Sequence, residues 1–134
     1  MRSPRPVPIS QQIAAMQCDF PSFAFRREGN RPTWRGVIQP TDRGVSYQVK
    51  IVYQYPNSPR VWVVSPALHP GNPHHYPDGS LCLYYPQDGS WRSDKLISKT
   101  IVPWTALWLA LYEEWCVTGL WYGPEVPHSG EKIR

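Results

Sequence analysis

Alternating apolar and polar residues predict a series of short β-strands through the first half of the chain. The alternation is clearest in SYQVKIVY, where four apolar side chains fall on one face: Tyr47, Val49, Ile51 and Tyr53. The four predicted strands span residues 22–27, 33–39, 46–53 and 60–65. In the second strand we expect Trp34 and Val37 to face inward. Because short turn segments separate the strands, they predict a four-stranded antiparallel meander.

Helical periodicity is predicted on either side of these strands. Ser10 is expected to cap a first helix that runs to about Cys18 and ends before Pro21. Later in the chain, PWTALWLALYEEWCVT predicts a longer helix, with Pro103 at its first position and Gly119 as its stop. Its apolar stripe has helical spacing and comprises Trp104, Trp108, Leu111 and Trp115. We expect this stripe to pack the helix against the sheet.

The order helix, meander, loop and helix predicts an α+β fold. The chain has 134 residues, of which 41% are hydrophobic, so one domain with a packed core is expected over residues 10–134. Sixteen prolines argue against a helix bundle. Residues 1–9 alternate proline with arginine, serine and valine and are expected to form a mobile tail.

Charge and hydropathy narrow the classes of partner. The formal net charge is only +4 and no zinc-finger, RNP or helix-turn-helix signature occurs, so no nucleic-acid partner is expected. The first third holds a loose basic patch, either a solvated face or a docking surface for an acidic protein, formed by Arg26, Arg27, Arg31 and Arg35. No apolar run approaches the roughly 20 residues that span a bilayer and no secretory signal is visible, so we expect a cytoplasmic protein without a membrane partner.

Cys82 carries the candidate chemistry. It lies between two leucines, after the turn signal Asp-Gly-Ser, and His69, His74 and His75 precede it. A cysteine with histidines nearby is either a buried small hydrophobe or a nucleophile whose neighbour exchanges protons near neutral pH. Three cysteines without close spacing do not indicate a disulfide framework, so reduced thiols are expected.

The segment before Cys82 resembles the active-site segment of ubiquitin-conjugating enzymes. In that family a His-Pro-Asn triplet precedes a Gly-x-Ile/Leu-Cys-Leu run, and here Asn72-Pro73-His74 precedes Gly-Ser-Leu-Cys-Leu. His74, eight residues before Cys82, occupies the family's asparagine position, and Asn72 occupies its histidine position. The chain thus departs from the eukaryotic pattern and is similar to bacterial relatives, in which histidine commonly stands there. His69-Pro70-Gly71-Asn72 is a second counterpart, at the wrong spacing.

The family's other motifs follow in the same order over roughly residues 10–119. The matching segments are Trp34 to Ile38, Tyr47 to Tyr53, Tyr55-Pro56 with Pro59, and Val61 to Val63. The resemblance implies a ubiquitin-conjugating (UBC-like) fold. Two further helices usually follow in the eukaryotic family, whereas residues 120–134 are rich in glycine and proline. Either a partner protein covers the area that these helices would cover, or Trp121 and Tyr122 fold back; His128 lies at the surface or reaches the rim of the site.

The resemblance implies acyl transfer through a thioester on Cys82, which would accept the C-terminal carbonyl of a partner protein and pass it to an amine. His74 would stabilise the oxyanion or hold the loop that does so, and His75 would act as a base toward Cys82 or the amine.

Three further residues are candidates for the rim of the site. Asp78 and Asp94 would orient a histidine or an acceptor lysine, with turn capping as the alternative role for Asp78. Trp91 is expected to pack beside the thiol. Asp94 to Thr100 is predicted to form one helical turn near it.

The bacterial relatives in question are similar to stand-alone conjugating proteins of CBASS antiphage operons, which conjugate a cGAS-like nucleotidyltransferase through its C terminus. The implied partner is such a nucleotidyltransferase or a ubiquitin-like protein. The sequence has no Walker A and no GxGxxG motif, so activation would need a separate enzyme or another route. No cofactor is expected, and no metal, because His74, His75 and Cys82 lack a fourth ligand at suitable spacing. A non-catalytic binding module, a Cys-His hydrolase and another bacterial conjugation system are the alternatives.

Overall fold

A computed structural model describes residues 5–83 and 91–123. The elements follow in the order α1 (Ile9–Asp19), β1 (Ala24–Glu28), β2 (Arg31–Ile38), β3 (Tyr47–Val52), β4 (Arg60–Ser65), a 3-10 helix (Ile97–Lys99) and α2 (Ile101–Thr118). The strands form one antiparallel sheet in chain order. A meander between two helices confirms the predicted α+β class and the UBC-like layout. Within the described residues, no helix has the length and apolarity needed to cross a membrane.

The inner face of the sheet follows the predicted alternation in β3, where Tyr47, Val49 and Ile51 are buried. The strand register aligns Trp34, Ile51 and Val61 across three strands, and all three belong to the core. The prediction for Val37 was wrong, because its side chain is 54% exposed. Trp34 and Val37 are an odd number of residues apart, so in a strand they point to opposite faces, and Ile38 takes the inward position instead.

Helix α2 lies against this inner face, but the predicted stripe was only partly right. Of its four members only Trp108 is fully buried, whereas the other three are half-buried. The residues that α2 buries recur at helical spacing and are Ile101, Val102, Thr105, Trp108, Leu109, Tyr112 and Glu113. The buried stripe is therefore rotated from the one that the largest side chains mark, because indoles can cover the edge of a core without entering it.

The ends of the helices differ from the prediction in two places. α1 begins at Ile9 with Pro8 as its N-cap and no side-chain cap, so the capping role expected for Ser10 was wrong. α2 begins at Ile101, which places Pro103 third in the helix rather than first. A proline is still tolerated there because N–H groups of the first turn have no partner within the helix. The predicted stop is confirmed, since Gly119 has the left-handed φ of 77° that ends many helices.

The ring of Phe23 packs directly over Gly36 in β2. A Cβ atom at Gly36 would lie 2.3 Å from a ring carbon of Phe23, which is closer than carbon atoms approach in proteins. We expect Gly36→Ala to lower the free energy of unfolding by about 1–3 kcal/mol, the usual cost of overpacking a core. Urea unfolding measures the change. Gly71→Ala is the matched control, since its nearest neighbour would lie 3.7 Å away; equal stability of the two variants would contradict this packing.

Candidate active site

A tight hairpin brings His74 and Cys82 together. The Cys82 N–H donates to the His74 carbonyl at 2.9 Å, and His75 forms a β-bridge with Leu81. The chain reverses through Asp-Gly, where Gly79 has a φ of 86° that suits glycine. The spacing of eight residues in the sequence therefore becomes direct opposition of two backbones across a hairpin.

Asp78 caps the tip of this hairpin. Its Oδ1 accepts hydrogen bonds from the Ser80 N–H at 2.9 Å and the Ser80 hydroxyl at 2.6 Å. Its Oδ2 lies 3.2 Å from the Arg60 guanidinium, and its carbonyl accepts from the Trp62 indole at 3.0 Å. Partial burial opposes ionisation, but the hydrogen bonds from Ser80 and the charge of Arg60 outweigh it and lower the pKa of Asp78. These contacts support the turn-capping role and attach the tip to β4.

Helix α2 holds the segment that leads into the hairpin at two points. The indole Nε1 of Trp108 donates to the His74 carbonyl at 3.1 Å, and the Tyr112 hydroxyl accepts from the His69 N–H at 2.7 Å. The two aromatic rings stack with centroids 5.7 Å apart, and the His69 ring lies edge-on to Trp115 at 5.5 Å. No role in the site was predicted for Trp108 or Tyr112. A buried indole or phenol needs a polar partner, and that requirement was the available signal.

His74 sits in an uncommon backbone conformation beside two indoles. Its φ of 60° is left-handed, which few residues other than glycine adopt. Its ring lies 4.8 Å from the Trp121 ring, and Trp121 in turn contacts Trp108 at 5.4 Å. Trp121 thus folds back onto the hairpin, as one of the two expected arrangements has it, whereas Tyr122, which was expected to fold back with it, is 61% exposed. His128, which was predicted at the surface or at the rim of the site, lies outside the described residues.

The side chain of His75 contacts Asn72 rather than the indoles that lie beside His74. Its ring is exposed, and its Nδ1 lies 3.2 Å from the amide nitrogen of Asn72, a side chain that is only 8% exposed. The same Asn72 nitrogen donates to the Pro73 carbonyl at 3.3 Å. The two candidate histidines therefore differ: the backbone of His74 pairs with Cys82, whereas the side chain of His75 is bound by Asn72. Asn72 belongs to the triplet that precedes Cys82, but no chemical role was predicted for it.

The thiol of Cys82 is buried, with 2% of the residue exposed. Its neighbour Leu81 donates its N–H to the Val61 carbonyl at 2.8 Å, so this arm of the hairpin lies against β4. The other two cysteines are free and exposed. Cys18 lies on α1 at a position that faces solvent. A reagent can reach the Cys82 sulfur only after the groups around it move.

The three thiols differ in exposure, and this difference predicts the order in which a reagent modifies them. We expect iodoacetamide to label Cys18 and Cys116 of the native protein at least about tenfold faster than Cys82, since alkylation requires access to the thiolate. Peptide mapping at successive times measures the three rates. Labelling in denaturant is the control, because unfolding should bring the rates together. Rapid native labelling of Cys82 would contradict the buried arrangement.

Trp91 and Asp94 lie in the segment before the 3-10 helix. Trp91 is half-buried and meets Tyr53 edge-on, with centroids 6.0 Å apart. The Asp94 carboxylate forms a two-point contact with Arg92, at 3.1 and 3.2 Å. Their suggested roles beside the thiol stay predictions. Within residues 5–83 and 91–123, no cluster of three or more histidine, cysteine or acidic side chains is arranged to hold a metal ion.

The UBC-like layout, with a cysteine on the segment that follows the meander, defines a conjugating-enzyme-like protein. A family model of Type II CBASS E2 proteins matches residues 12–129, and the chain belongs to this family. It therefore has a conjugating-enzyme-like role in CBASS, with protein partners in that system. Comparison with curated proteins finds no match.

Proposed function

We propose that Cys82 carries the C-terminal acyl group of a partner protein as a thioester and transfers it to an amine. The main support is the pairing of Cys82 with His74 in a hairpin that α2 holds through Trp108. A nucleophile must be kept at a defined place relative to its polar neighbours, and this arrangement provides such a place. Membership in the CBASS E2 family supports the same class of reaction.

The reaction has two steps. The Cys82 thiolate attacks the carbonyl carbon, a carbon–sulfur bond forms, and the bond to the leaving group breaks. The amine nitrogen then attacks the thioester, an amide forms, the amine loses a proton, and the thiolate leaves. A free carboxylate has no good leaving group, so the acyl group must arrive in activated form. We propose that a separate ATP-dependent activating enzyme supplies it.

Each step passes through an oxyanion that needs a hydrogen-bond donor. The Cys82 N–H already donates to the His74 carbonyl at 2.9 Å, so this group is occupied. The donor is therefore expected from a side chain near the thiol, and the imidazoles of His74 and His75 are the two candidates.

We propose a cGAS-like nucleotidyltransferase of the same CBASS operon as the protein that is conjugated, with a ubiquitin-like protein as the alternative. Either would present a C-terminal carboxyl group. The reaction would take place in the cytoplasm, where thiols stay reduced.

Co-expression with the neighbouring genes of the operon tests this proposal, because it supplies the partner and any activating enzyme together. We expect a covalent adduct on non-reducing gels that a thiol reagent removes, and mass spectrometry should map the bond to Cys82. An adduct on Cys18 or Cys116 instead, or no adduct while the partner is expressed and antiphage defence is active, would reject the proposal.

The burial of Cys82 favours one other function, that of a non-catalytic module of the same fold. Such a module would bind the nucleotidyltransferase without forming a covalent bond. A stable complex in gel filtration, combined with defence that survives loss of the thiol, would identify this function.

A further inference from the structure

The contact between Asn72 and His75 determines which imidazole nitrogen carries the proton. We propose that Asn72 is a positioning residue that holds neutral His75 with its proton on Nε2, so that His75 offers the site a hydrogen-bond donor. The tautomer follows from the geometry alone. The use of this donor in acyl transfer rests on the proposed function.

The Pro73 carbonyl sets the orientation of the Asn72 amide. A carbonyl oxygen can only accept a hydrogen bond, so the amide atom 3.3 Å from it must be the nitrogen. Turning the amide over would place two oxygens against each other. Asn72 is buried, so this repulsion would not be relieved by water, and the observed orientation is strongly favoured.

The orientation of the Asn72 amide then determines which nitrogen of the His75 ring carries the proton. The same amide nitrogen lies 3.2 Å from the Nδ1 of His75, and an amide nitrogen can only donate. Nδ1 must therefore accept, which requires that it carry no proton, and the proton of the neutral ring lies on Nε2. Protonation of Nδ1 would break this hydrogen bond. A carbonyl of the chain thus selects the tautomer of an exposed imidazole through one buried side chain.

This tautomer changes the role expected for His75. A base needs a bare nitrogen that the substrate can reach, but the bare Nδ1 of His75 is occupied by Asn72. The His75 backbone pairs with Leu81, the residue before Cys82, and its exposed ring offers an N–H. The arrangement supports a donor to a developing oxyanion rather than the base suggested by the resemblance.

The direct test is a long-range ¹H–¹⁵N spectrum of the imidazole nitrogens in the ¹⁵N-labelled full chain, recorded above the pH range where histidine titrates. The signals of His75 are identified by their loss in His75→Gln. We expect a protonated Nε2 and an unprotonated Nδ1. The opposite pattern in the unmodified protein would overturn the proposal without any variant.

Asn72→Asp should reverse the pattern, because a carboxylate accepts and would bind a protonated Nδ1. Asn57→Asp makes the same substitution at an exposed turn and should leave His75 unchanged. The backbone amide spectrum shows whether each variant is folded. A folded Asn72→Asp protein that keeps Nε2–H and a bare Nδ1 would also overturn the assignment.

The donor role is tested with the adduct assay. We expect His75→Ala to slow adduct formation about 100-fold, the scale seen when an oxyanion donor is removed. His75→Gln should recover part of the rate because its amide retains an N–H donor. Equal rates for these two variants would overturn the donor role. If the unmodified protein forms no adduct, the proposed function fails, while the spectrum still decides the tautomer.

Discussion

Replacing Cys82 with alanine is expected to abolish the thiol-sensitive adduct. The loss should be on the order of a thousandfold or more in the rate of adduct formation, because removal of a nucleophile leaves no group to form the bond. Alanine is small and apolar, so it suits the buried position and should leave the fold intact. Quantified non-reducing gels of the co-expressed partner give the rate, and urea unfolding checks the stability.

The chain contains its own matched controls for this substitution. Cys18→Ala and Cys116→Ala remove thiols that are more exposed than Cys82, and both variants should keep the adduct. Cys82→Ser should replace the thioester by an ester that resists thiol reagents. An adduct that persists in Cys82→Ala but disappears in one of the other two variants would show that a surface thiol, and not Cys82, carries the acyl group.

Replacing Trp108 is expected to have the second largest effect, because this residue serves the core and the site together. It is 3% exposed, stacks on Tyr112 and donates its indole N–H to the His74 carbonyl. Trp108→Ala should lower the free energy of unfolding by about 3–5 kcal/mol, the usual cost of truncating a buried aromatic residue. A domain is typically stable by only about 5–15 kcal/mol, so this variant is expected to be partly unfolded at physiological temperature.

Trp108→Phe separates the two roles. It keeps an aromatic ring in the core and removes the N–H, so the His74 carbonyl loses this donor and keeps the bond from Cys82. The loss of one hydrogen bond should cost about 0.5–1.5 kcal/mol. Because the hairpin is then attached to α2 less firmly, we also expect slower adduct formation, by about tenfold, from misplacement of His74 and Cys82.

Trp104→Phe is the control for this experiment. Trp104 lies one turn earlier on α2 and is only half-buried, so its substitution should change the adduct rate little. Unfolding by urea and adduct formation are measured on both variants. If Trp108→Phe and Trp104→Phe have the same adduct rate, then the bond from the indole to His74 has no part in holding the hairpin.

Local pattern was sufficient for much of the fold. The predicted fourth strand has the same bounds as β4, and the side-chain alternation of β3 was predicted correctly, because a strand with one buried face must alternate. The orientation of α2 was predicted only in part, because many of its residues are apolar or aromatic on more than one side. When several faces of a helix are apolar, the shape of the sheet decides which one is buried.

The candidate site, like the fold, has features that the local sequence predicts and others that only the tertiary structure decides. The Asp-Gly-Ser turn before Cys82 was predicted from the sequence, whereas the hairpin that places His74 opposite Cys82 was not. The contacts that hold it come from α2, at positions 34 and 43 residues further along the chain, and no local pattern records them. Asn72 lies close to His74 and His75 in the sequence, yet its role depends on its burial and on the direction of the Pro73 carbonyl.

The sequence by itself determined the α+β class, the meander, the cysteine to examine and the histidine placed against it. The class and the meander depend on local periodicity and turn chemistry, whereas the choice of His74 rests on the resemblance of the segment before Cys82 to the active-site segment of ubiquitin-conjugating enzymes. Only the tertiary structure decided that the Cys82 thiol is buried, that Trp108 and Tyr112 bind the segment leading to it, and that Asn72 sets the state of His75. Whether a group is buried or hydrogen-bonded depends on the residues around it, and the residues around these groups come from distant parts of the chain.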